Sequence, residues 1–533
     1  MQRSREVLQP GVAGNADHRA ARTQLRGELQ GGEHVHPRRR AGKHALLARE
    51  APRHRPALRL VERAHLRSGD LSPSGARAVI GFRGEILTVP VEHGDPRNLT
   101  QTAGVNERQP AWSPDGRSIA WIGDAGGENK LYIGAQDGKG EPRVLPLAGA
   151  GFYSDLTWAP DGKKLSYIDN ARALYWLELE SGRATKVDAE PIYGVFDSLT
   201  SHWSADSRWI AYTLTSKANT TRAYLYDLAA GKSHALSDGL SDVTEPVFDA
   251  GGKYLYMAAS TNAGPFNTWF SQASADVTRT NALYVAVLDK GVDSPLAPKS
   301  DEEKAKDEDK DKEKAAAKQR EGAAESAPAE TKPGESKPAE KADAPAEVKI
   351  DFDGLGQRML ALPLPSAHYT NLQPGKAGQL YYLKAARAPF SGEAPPAALC
   401  RFDFESREEK VLLEGVQGFR ISHDQQKVLL TQEAGVWICG LGDKLDLSKG
   451  KLALDELEVR IDPRVEWPQI LDEVWRINRD YFYDPGMHGA DWNAMKSKYE
   501  QFLPHLNVRS DLNRVIRWLC SELAVGHSYS GGG

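Results

Sequence analysis

The chain has 533 residues, enough for about two to four domains with sizeable hydrophobic cores. Its 68 Lys and Arg residues nearly balance its 73 Asp and Glu residues, so overall charge gives no reason to expect nucleic acid or an anionic membrane as a partner. Its three cysteines are widely separated without CxxC spacing, which argues against a disulfide framework and a zinc cluster, and we expect neither a metal nor a cofactor.

The first segment, residues 1–70, differs in composition from the rest of the chain. It holds 14 Arg and six of the 14 His, but no aromatic residue, and therefore has little with which to build a core. An Arg-rich nucleic-acid arm and a transit peptide are two functional interpretations, but our preferred hypothesis is a wrongly assigned start or an out-of-frame translation. The start also lacks the charged-then-apolar order of a secretory signal. No run in the chain approaches the roughly 20 apolar residues that cross a bilayer, so we expect a soluble protein without a membrane partner.

A phrase recurs from Leu71 onward at spacings of 41, 46, 45 and 45 residues. Its copies are LSPSGARAVIGF, WSPDGRSIAWIG at Trp112, WAPDGKKLSYID at Trp158, WSADSRWIAYTL at Trp203 and FDAGGKYLYMAA at Phe248. In each copy a strand ends, a Pro-Asp-Gly-like turn follows, and alternating apolar residues begin the next strand. A fixed period in this range with several short strands per unit indicates a β-propeller.

Two degenerate copies complete the repeat, at Leu372 and Ile421. Further strands such as KLYIGA and ALYWLEL follow most copies, which gives four strands per unit. We therefore predict a mainly β fold: a seven-bladed β-propeller of four-stranded, WD40/TolB-like blades over residues 71–460. The Asp residues of the turns could suggest a metal site, but Asp is the residue that such turns prefer, and we assign no metal.

Residues 300–349 interrupt the propeller. They contain no aromatic residue, no Leu and no Ile, and are dominated by charged residues, Ala and Pro. Such a segment cannot bury enough apolar surface to order itself. We expect a disordered insertion or a weakly helical tether, and we favour a solvated loop over a partner-binding tail because loop-closure cost grows slowly with length.

The hydrophobic period changes from two to 3.6 within residues 461–533. We predict a first helix that ends before Asp484-Pro485, a second with Asp491 as its N-cap, and a third from Ser510 or Asp511. The apolar stripes are Ile470, Val474, Ile477 and Tyr481 on the first helix, Trp492, Met495, Tyr499 and Phe502 on the second, and Leu512, Val515, Ile516, Leu519 and Leu523 on the third. We expect this helical segment to open a larger, truncated α/β core, because such short helices need a larger body on which to bury their stripes.

His527 follows the third helix in the stretch AVGHSYSGGG. A histidine at a helix end more often bonds to the terminal carbonyls or packs in a loop than it acts as a general base. Ser528 and Ser530 lie beside it, but a nucleophilic serine and its base meet through tertiary folding, so we do not expect a local pair. The chain contains no GxSxG nucleophile elbow.

The stretch LDEVWRINRDYFYDPGMHGADWNAMKSKYEQFLP, followed by SELAVGHSYSGGG, resembles the opening of the catalytic core of tricorn proteases and their bacterial homologues. The repeats with IDFDGLGQRMLALPLP after a charged insertion resemble the seven-bladed propeller of the same family, so the resemblance covers about residues 71–533. It implies that His527 is the catalytic general base. It also implies that the nucleophilic serine and the oxyanion-hole amides come from a second core subdomain beyond Gly533, so we expect this chain alone to be inactive. Gly526 stands where the archaeal enzyme has a serine.

The resemblance further implies a serine peptidase that hydrolyses oligopeptides released by a larger protease, with the propeller as a gated passage to the active site. Peptides are then the substrates, and the resemblance alone implies a homo-oligomer, for the full-length protein. We expect a cytoplasmic location, or a periplasmic one if the true N-terminus carries a signal peptide. The alternative function is a non-catalytic, TolB-like propeller that acts as a protein-binding scaffold.

Overall fold

The computed structural model describes residues 66–191, 199–264, 278–298, 346–386, 397–526 and 528–531. Residues 1–65 and most of the charged insertion lie outside this set. Within it, no helix is both long and apolar enough to cross a membrane. The chain is described again from residue 346, inside the predicted insertion, and Val348 is buried there against the fourth and fifth blades.

In the described residues the strands form seven consecutive antiparallel sheets, each built from strands adjacent in sequence. The first three sheets contain β1 Leu66–Leu71, β2 Arg77–Phe82, β3 Glu85–Pro90 and β4 Arg97–Asn98; β5 Arg108–Trp112, β6 Ser118–Gly123, β7 Lys130–Ala135 and β8 Arg143–Leu145; and β9 Tyr153–Trp158, β10 Lys164–Asp169, β11 Ala173–Glu178 and β12 Arg183–Ala189. The next two contain β13 Ser201–Trp203, β14 Trp209–Thr215, β15 Thr221–Asp227 and β16 Lys232–Ala235; and β17 Val243–Phe248, β18 Tyr254–Ala259, β19 Ala282–Val287 and β20 Met359–Ala361. The last two contain β21 His368–Pro374, β22 Gln379–Ala385, β23 Ala397–Asp403 and β24 Glu408–Val416; and β25 Gly418–Ile421, β26 Lys427–Gln432 and β27 Gly435–Gly440.

These sheets are the blades of a propeller, which confirms the predicted fold class. The first strand of each blade lies innermost, since β1 contacts β5, β5 contacts β9, and β25 contacts β1 to complete the ring. The copies of the recurring phrase lie where the first strand of a blade meets the turn to the second, at the positions that the repeat predicts. The insertion falls between β19 and β20, within the fifth blade.

The turn between the first two strands of a blade shows why the phrase recurs. Ser113 Oγ donates to Asp115 Oδ1 at 2.6 Å and accepts from the Ser118 amide at 2.9 Å. Gly116 has φ of 73°, a left-handed conformation that suits glycine. The turn therefore uses its aspartate locally, as the sequence interpretation proposes.

Hydrogen bonds between inner strands join neighbouring blades. Asp70 Oδ2 accepts from the amide of Trp112 at 2.8 Å, and Glu245 Oε2 accepts from the amide of Leu372 at 2.7 Å. His202 Nδ1 accepts from a backbone amide of the fifth blade at 3.2 Å. Burial, together with Arg420, lowers the pKa of His202 to about 4, which keeps this ring nitrogen available as an acceptor.

The seventh blade differs from the prediction of four strands. It has three described strands, and its outer edge is reduced to one antiparallel bridge between Trp437 and Lys451. Two backbone bonds flank this bridge, from Ile438 N to Gly450 O and from Leu452 N to Val436 O. The chain leaves the edge early because the next residues turn toward the helices. This blade packs against the first through a shared apolar cluster, and Arg420 pairs with Asp70 at 3.2 Å. Among the described strands, none of the first blade joins the sheet of the seventh.

Three α-helices follow in the described chain: α1 Pro463–Tyr481, α2 Trp492–Glu500 and α3 Arg509–Ser521. The carboxylates of Asp462 and Asp491 cap α1 and α2, and the predicted N-cap at Asp491 is confirmed. All five apolar residues predicted for the third helix are buried in the helical core. On α1 the predicted stripe divides: Ile470 and Val474 pack on that core, but the ring of Tyr481 lies 5.5 Å from that of Phe152 in the propeller.

Candidate active site

Helix α1 docks on one face of the propeller, at the first three blades. Its contacts fall on the turns between second and third strands and on the links from one blade to the next, which lie on the same face in this topology. Arg83 pairs with Glu466 at 3.0 Å, Arg479 pairs with Glu128 at 2.8 Å, and Asn170 Nδ2 donates to the carbonyl of Asp480 at 3.0 Å. The helical segment that carries the candidate base is thus fixed to the propeller by polar contacts.

The centre of this interface is a buried arginine. Arg476 is 1% exposed and donates from Nη2 to Asp124 Oδ2 and from Nε to Asp472 Oδ2 at 3.1 Å. Its guanidinium lies 5.8 Å from the centre of the Phe152 ring. Asp124 also accepts from the amide of Asn106 at 2.7 Å. Buried charges persist in proteins when they are paired and hydrogen-bonded, as this pair is.

A second carboxylate, with its side chain 15% exposed, lies one turn from this pair. Glu473 accepts two bonds from Asn106 Nδ2 and one from Arg108 Nη1, all at 2.8 Å, and a further bond from Gln469. Burial alone raises the pKa of a carboxyl group, but Arg108 and the amide donors outweigh it and hold the pKa of Glu473 below its ordinary value. Glu473 is therefore ionised in the docked state.

Glu107 lies under the same interface and behaves in the opposite way. Burial raises its pKa to about 7, against the hydrogen bond from Thr102 and with further repulsion from Glu85 and Asp124. Its Oε1 accepts from Thr102 at 2.7 Å, and its Oε2 has no hydrogen-bond partner among the described residues. The propeller face below α1 thus contains a carboxyl group that titrates near neutral pH.

The chain leaves α3 along a path that is held from two sides. Glu522 Oε1 accepts from Lys498 Nζ and from the Tyr499 hydroxyl, both at 2.6 Å, and these donors hold the pKa of Glu522 below its ordinary value. Leu523 is buried, and Ala524 has a left-handed φ of 51°. These contacts set the direction of the segment that leads to residue 527.

On the other side of α3, the thiol of Cys520 accepts from Asn478 Nδ2 of α1 at 3.9 Å. Burial raises the pKa of Cys520, and hydrogen bonds from Ser528 and Asn478 offset only part of this effect. A protonated thiol is a poor nucleophile. Cys520 is therefore a packing residue at the base of the segment.

His488, which no motif in the sequence singles out, also reaches the chain just beyond α3. Its Nδ1 lies 2.9 Å from the carbonyl oxygen of Leu523, and its Nε2 bonds to the hydroxyl of Tyr483. It sits in a short 3₁₀ turn, Met487–Gly489, and has a left-handed φ of 53°. The only sequence signal was its position between Gly486 and Gly489, which does not indicate a contact 35 residues away.

His527 itself lies outside the described residues, and its catalytic role stays a prediction. Gly526 and Ser528 on either side of it are described, and the Ser528 side chain bonds to Cys520. Ser530 Oγ donates to the carbonyl of Asn513 at 3.4 Å. Across the described part of the chain, no three His, Cys, Asp or Glu side chains converge in an arrangement that could hold a metal ion.

The described arrangement thus defines a class: a β-propeller that carries a docked helical domain. Models of known protein families match both the propeller and the helical domain. Residues 66–442 match the second β-propeller domain of tricorn protease, and residues 463–520 match its C1 domain. Because the propeller model alone covers more than half of the chain, the chain belongs to the tricorn protease family, a family of peptidases.

Individual relatives agree with this assignment. Tricorn protease homolog 1 of Streptomyces coelicolor is 25% identical over 490 residues, which are 86% of this chain and 42% of the relative. Tricorn protease of Thermoplasma volcanium is 22% identical over 424 residues, 77% of this chain and 36% of the relative. The crystal structure of the tricorn protease superimposes with a TM-score of 0.67 at 18% identity, over 88% of this chain and 42% of that one, and so shows the same fold. The chain spans less than half the length of these relatives.

Proposed function

We propose that this chain supplies the propeller and the histidine-bearing helical part of a serine peptidase that hydrolyses oligopeptides released by a larger protease. His527 is the general base in this proposal, and the serine that it activates lies outside residues 1–533. The observation that carries the proposal is the C1-type helical segment, which matches the family over residues 463–520 and ends on the segment leading to His527. Peptide hydrolysis by a tricorn-type enzyme needs both this base and a separate nucleophile.

In the proposed mechanism His527 takes the proton of the serine hydroxyl as it attacks the peptide carbonyl. It then gives that proton to the leaving amine, and activates water to hydrolyse the acyl-enzyme. The propeller controls access by admitting extended peptides to the axis that its inner strands surround. Support for this part of the proposal is the docking of α1 on one propeller face, which joins the ring directly to the helical segment.

The proposal also includes assembly and location. We propose a homo-oligomer, which mass measurement in solution tests, and a cytoplasmic location, with the periplasm as the alternative, which cell fractionation tests. The three cysteines, all free in the structure, agree with a reducing compartment.

The decisive experiment uses the natural polypeptide that contains this chain together with any sequence that follows residue 533. Fluorogenic oligopeptides report hydrolysis, and a fluorophosphonate reports an activated serine. We expect hydrolysis and labelling in the natural polypeptide, and a fall in kcat/KM of about 10⁴-fold or more in His527→Ala. The chain of residues 1–533 alone should show neither signal.

The matched control is His505→Ala, which removes an exposed histidine of the same helical segment and should leave the activity unchanged. Unchanged hydrolysis in His527→Ala would remove this residue from the mechanism. Hydrolysis that the fluorophosphonate does not inhibit would refute the serine nucleophile.

A further inference from the structure

The end of α3 is held by a histidine from a different turn. His488 Nδ1 and the Leu523 carbonyl oxygen are 2.9 Å apart. A carbonyl oxygen can only accept, so Nδ1 must carry the proton and donate. The opposite nitrogen, Nε2, is then free to accept from the Tyr483 hydroxyl, with which it makes a hydrogen bond.

The surroundings of the ring leave little freedom for another orientation. The His488 ring lies 5.1 Å from the ring of Phe482 and 5.2 Å from that of Tyr483, in an edge-to-face arrangement with both. Asp484 accepts from the amide of His488 at 2.9 Å, and Met487, just before it, is buried in the helical core. The imidazole is therefore fixed on both sides and along the backbone.

The backbone of this turn is strained. Met487 and His488 have φ of 51° and 53°, a conformation that L-residues adopt at a cost and that persists when surrounding contacts hold it. Glycine at position 488 would adopt this conformation freely but has no side chain to donate a hydrogen bond to the Leu523 carbonyl. The hydrogen bond from the His488 side chain to Leu523 compensates for the cost of the backbone conformation.

Leu523 is the last buried residue before the chain turns toward residue 527. Its carbonyl lies two residues beyond Ser521, the last residue of α3, where the chain is no longer helical. The next residue, Ala524, turns the chain with a φ of 51°. A donor placed at Leu523 O therefore fixes the point from which the following residues leave the helix.

We propose that His488 is a positioning residue: its Nδ1–H bond to the Leu523 carbonyl sets the path of the segment that carries His527. The relevance to catalysis rests on the proposed function, but the structural effect does not. His488 touches no reacting atom in this proposal and acts through the backbone of the segment.

The test compares His488→Asn with His488→Asp in the chain of residues 1–533. The two side chains have the same shape, and both tolerate left-handed backbone. The amide nitrogen of Asn stands where Nδ1 stands in His and can donate to Leu523 O, whereas a carboxylate can only accept. His505→Asp introduces the same charge at an exposed histidine of the same segment and serves as the matched control.

Hydrogen exchange measured by mass spectrometry reports the amides of residues 522–524, which bond to the last carbonyls of α3. We expect His488→Asp to speed their exchange by about 3- to 10-fold, the range that corresponds to loss of one ordinary hydrogen bond. His488→Asn and His505→Asp should exchange as the unaltered chain does. The ¹³C-histidine spectrum, with the His527 signal assigned by its loss in His527→Ala, should shift that signal only in His488→Asp.

Equal exchange in the Asn and Asp variants, whether slow or fast, would overturn the proposal, because the donor would then make no difference. Should the Asp variant fold poorly, His488→Gly removes the donor without adding charge, and unchanged exchange in that variant would refute the proposal equally. Loss of activity in His527→Ala is measured separately in the natural polypeptide. If His527 proves not to be catalytic, the hydrogen-exchange result for His488 is unaffected. If His488 proves not to hold the Leu523 carbonyl, the catalytic role of His527 is unaffected.

Discussion

The buried Arg476 offers the most direct test of how the helices are attached to the propeller. Replacing it with methionine keeps most of the side-chain volume but leaves Asp124 buried without its cationic partner. Removing one member of a buried ion pair costs about 3–5 kcal/mol. Asp124 retains the bonds from the Asn106 amide at 2.7 Å and from Gln469 Nε2 at 2.9 Å, so we expect the lower end, about 3 kcal/mol.

At about 1.4 kcal/mol per tenfold change, this loss raises the population of the undocked state by roughly 100-fold. Hydrogen exchange of peptides covering α1 and the Asn106 amide should increase accordingly, while exchange in the fourth to sixth blades stays the same. Arg464→Met, on an exposed position of the same helix, is the matched control and should have little effect.

A double-mutant cycle identifies the partner. If the cost arises from the pair, Asp124→Asn combined with Arg476→Met should cost at least about 1 kcal/mol less than the sum of the two single variants. Strictly additive costs, or a single-variant loss under about 1 kcal/mol, would refute the view that this ion pair holds the interface.

Two further predictions concern the propeller. Burial raises the pKa of Glu107 from an ordinary 4.5 to about 7, so between these pH values the folded state holds a proton that the unfolded state releases. The contribution of this group to folding stability is therefore complete below about pH 4.5 and is lost as pH rises toward 7. Urea denaturation should show Glu107→Gln gaining up to about 3 kcal/mol relative to the unaltered chain between pH 4.5 and 7.5, and a pH-independent difference would contradict the assignment. Gly450→Ala places a Cβ 2.0 Å from the carbonyl oxygen of Ile438 at a left-handed φ of 79°, and should lower the free energy of unfolding by about 2 kcal/mol or more. Gly440→Ala, where nothing lies within 4 Å of the added Cβ, should cost less than about 1 kcal/mol. Equal losses of stability in the two variants would contradict the close approach of Gly450 to Ile438 at the outer edge of the seventh blade.

The propeller could be predicted because its information is local and repeated. A turn such as that at Asp115 needs only neighbouring residues, and the apolar alternation beside it has a period of two. Seven copies of such a signal specify seven blades even when the copies at Leu372 and Ile421 are degenerate. The reduced outer edge of the last blade could not be predicted, since it depends on where the chain must turn toward α1.

The docking of α1 could not be predicted for a different reason. A single helical stripe identifies one buried face, but α1 is buried on two: Ile470 and Val474 on the helical core, and Arg476 and Tyr481 on the propeller. The partner of Arg476 on the propeller is Asp124, 352 residues earlier. A charged residue in a helix pattern is ordinarily assigned to solvent, and only the tertiary structure shows that this one is buried.

The charged pairs between α1 and the propeller determine the position of the segment that leads to the candidate base. Moving α1 along its axis by one turn, 5.4 Å, would separate Arg476 from Asp124 and Glu473 from Arg108, and would leave both carboxylates of the interface without these cations. The paired charges therefore select one register of α1 on the propeller. Since α3 packs on α1 and is followed by the buried Leu523, the same pairs determine where the segment toward residue 527 lies relative to the ring.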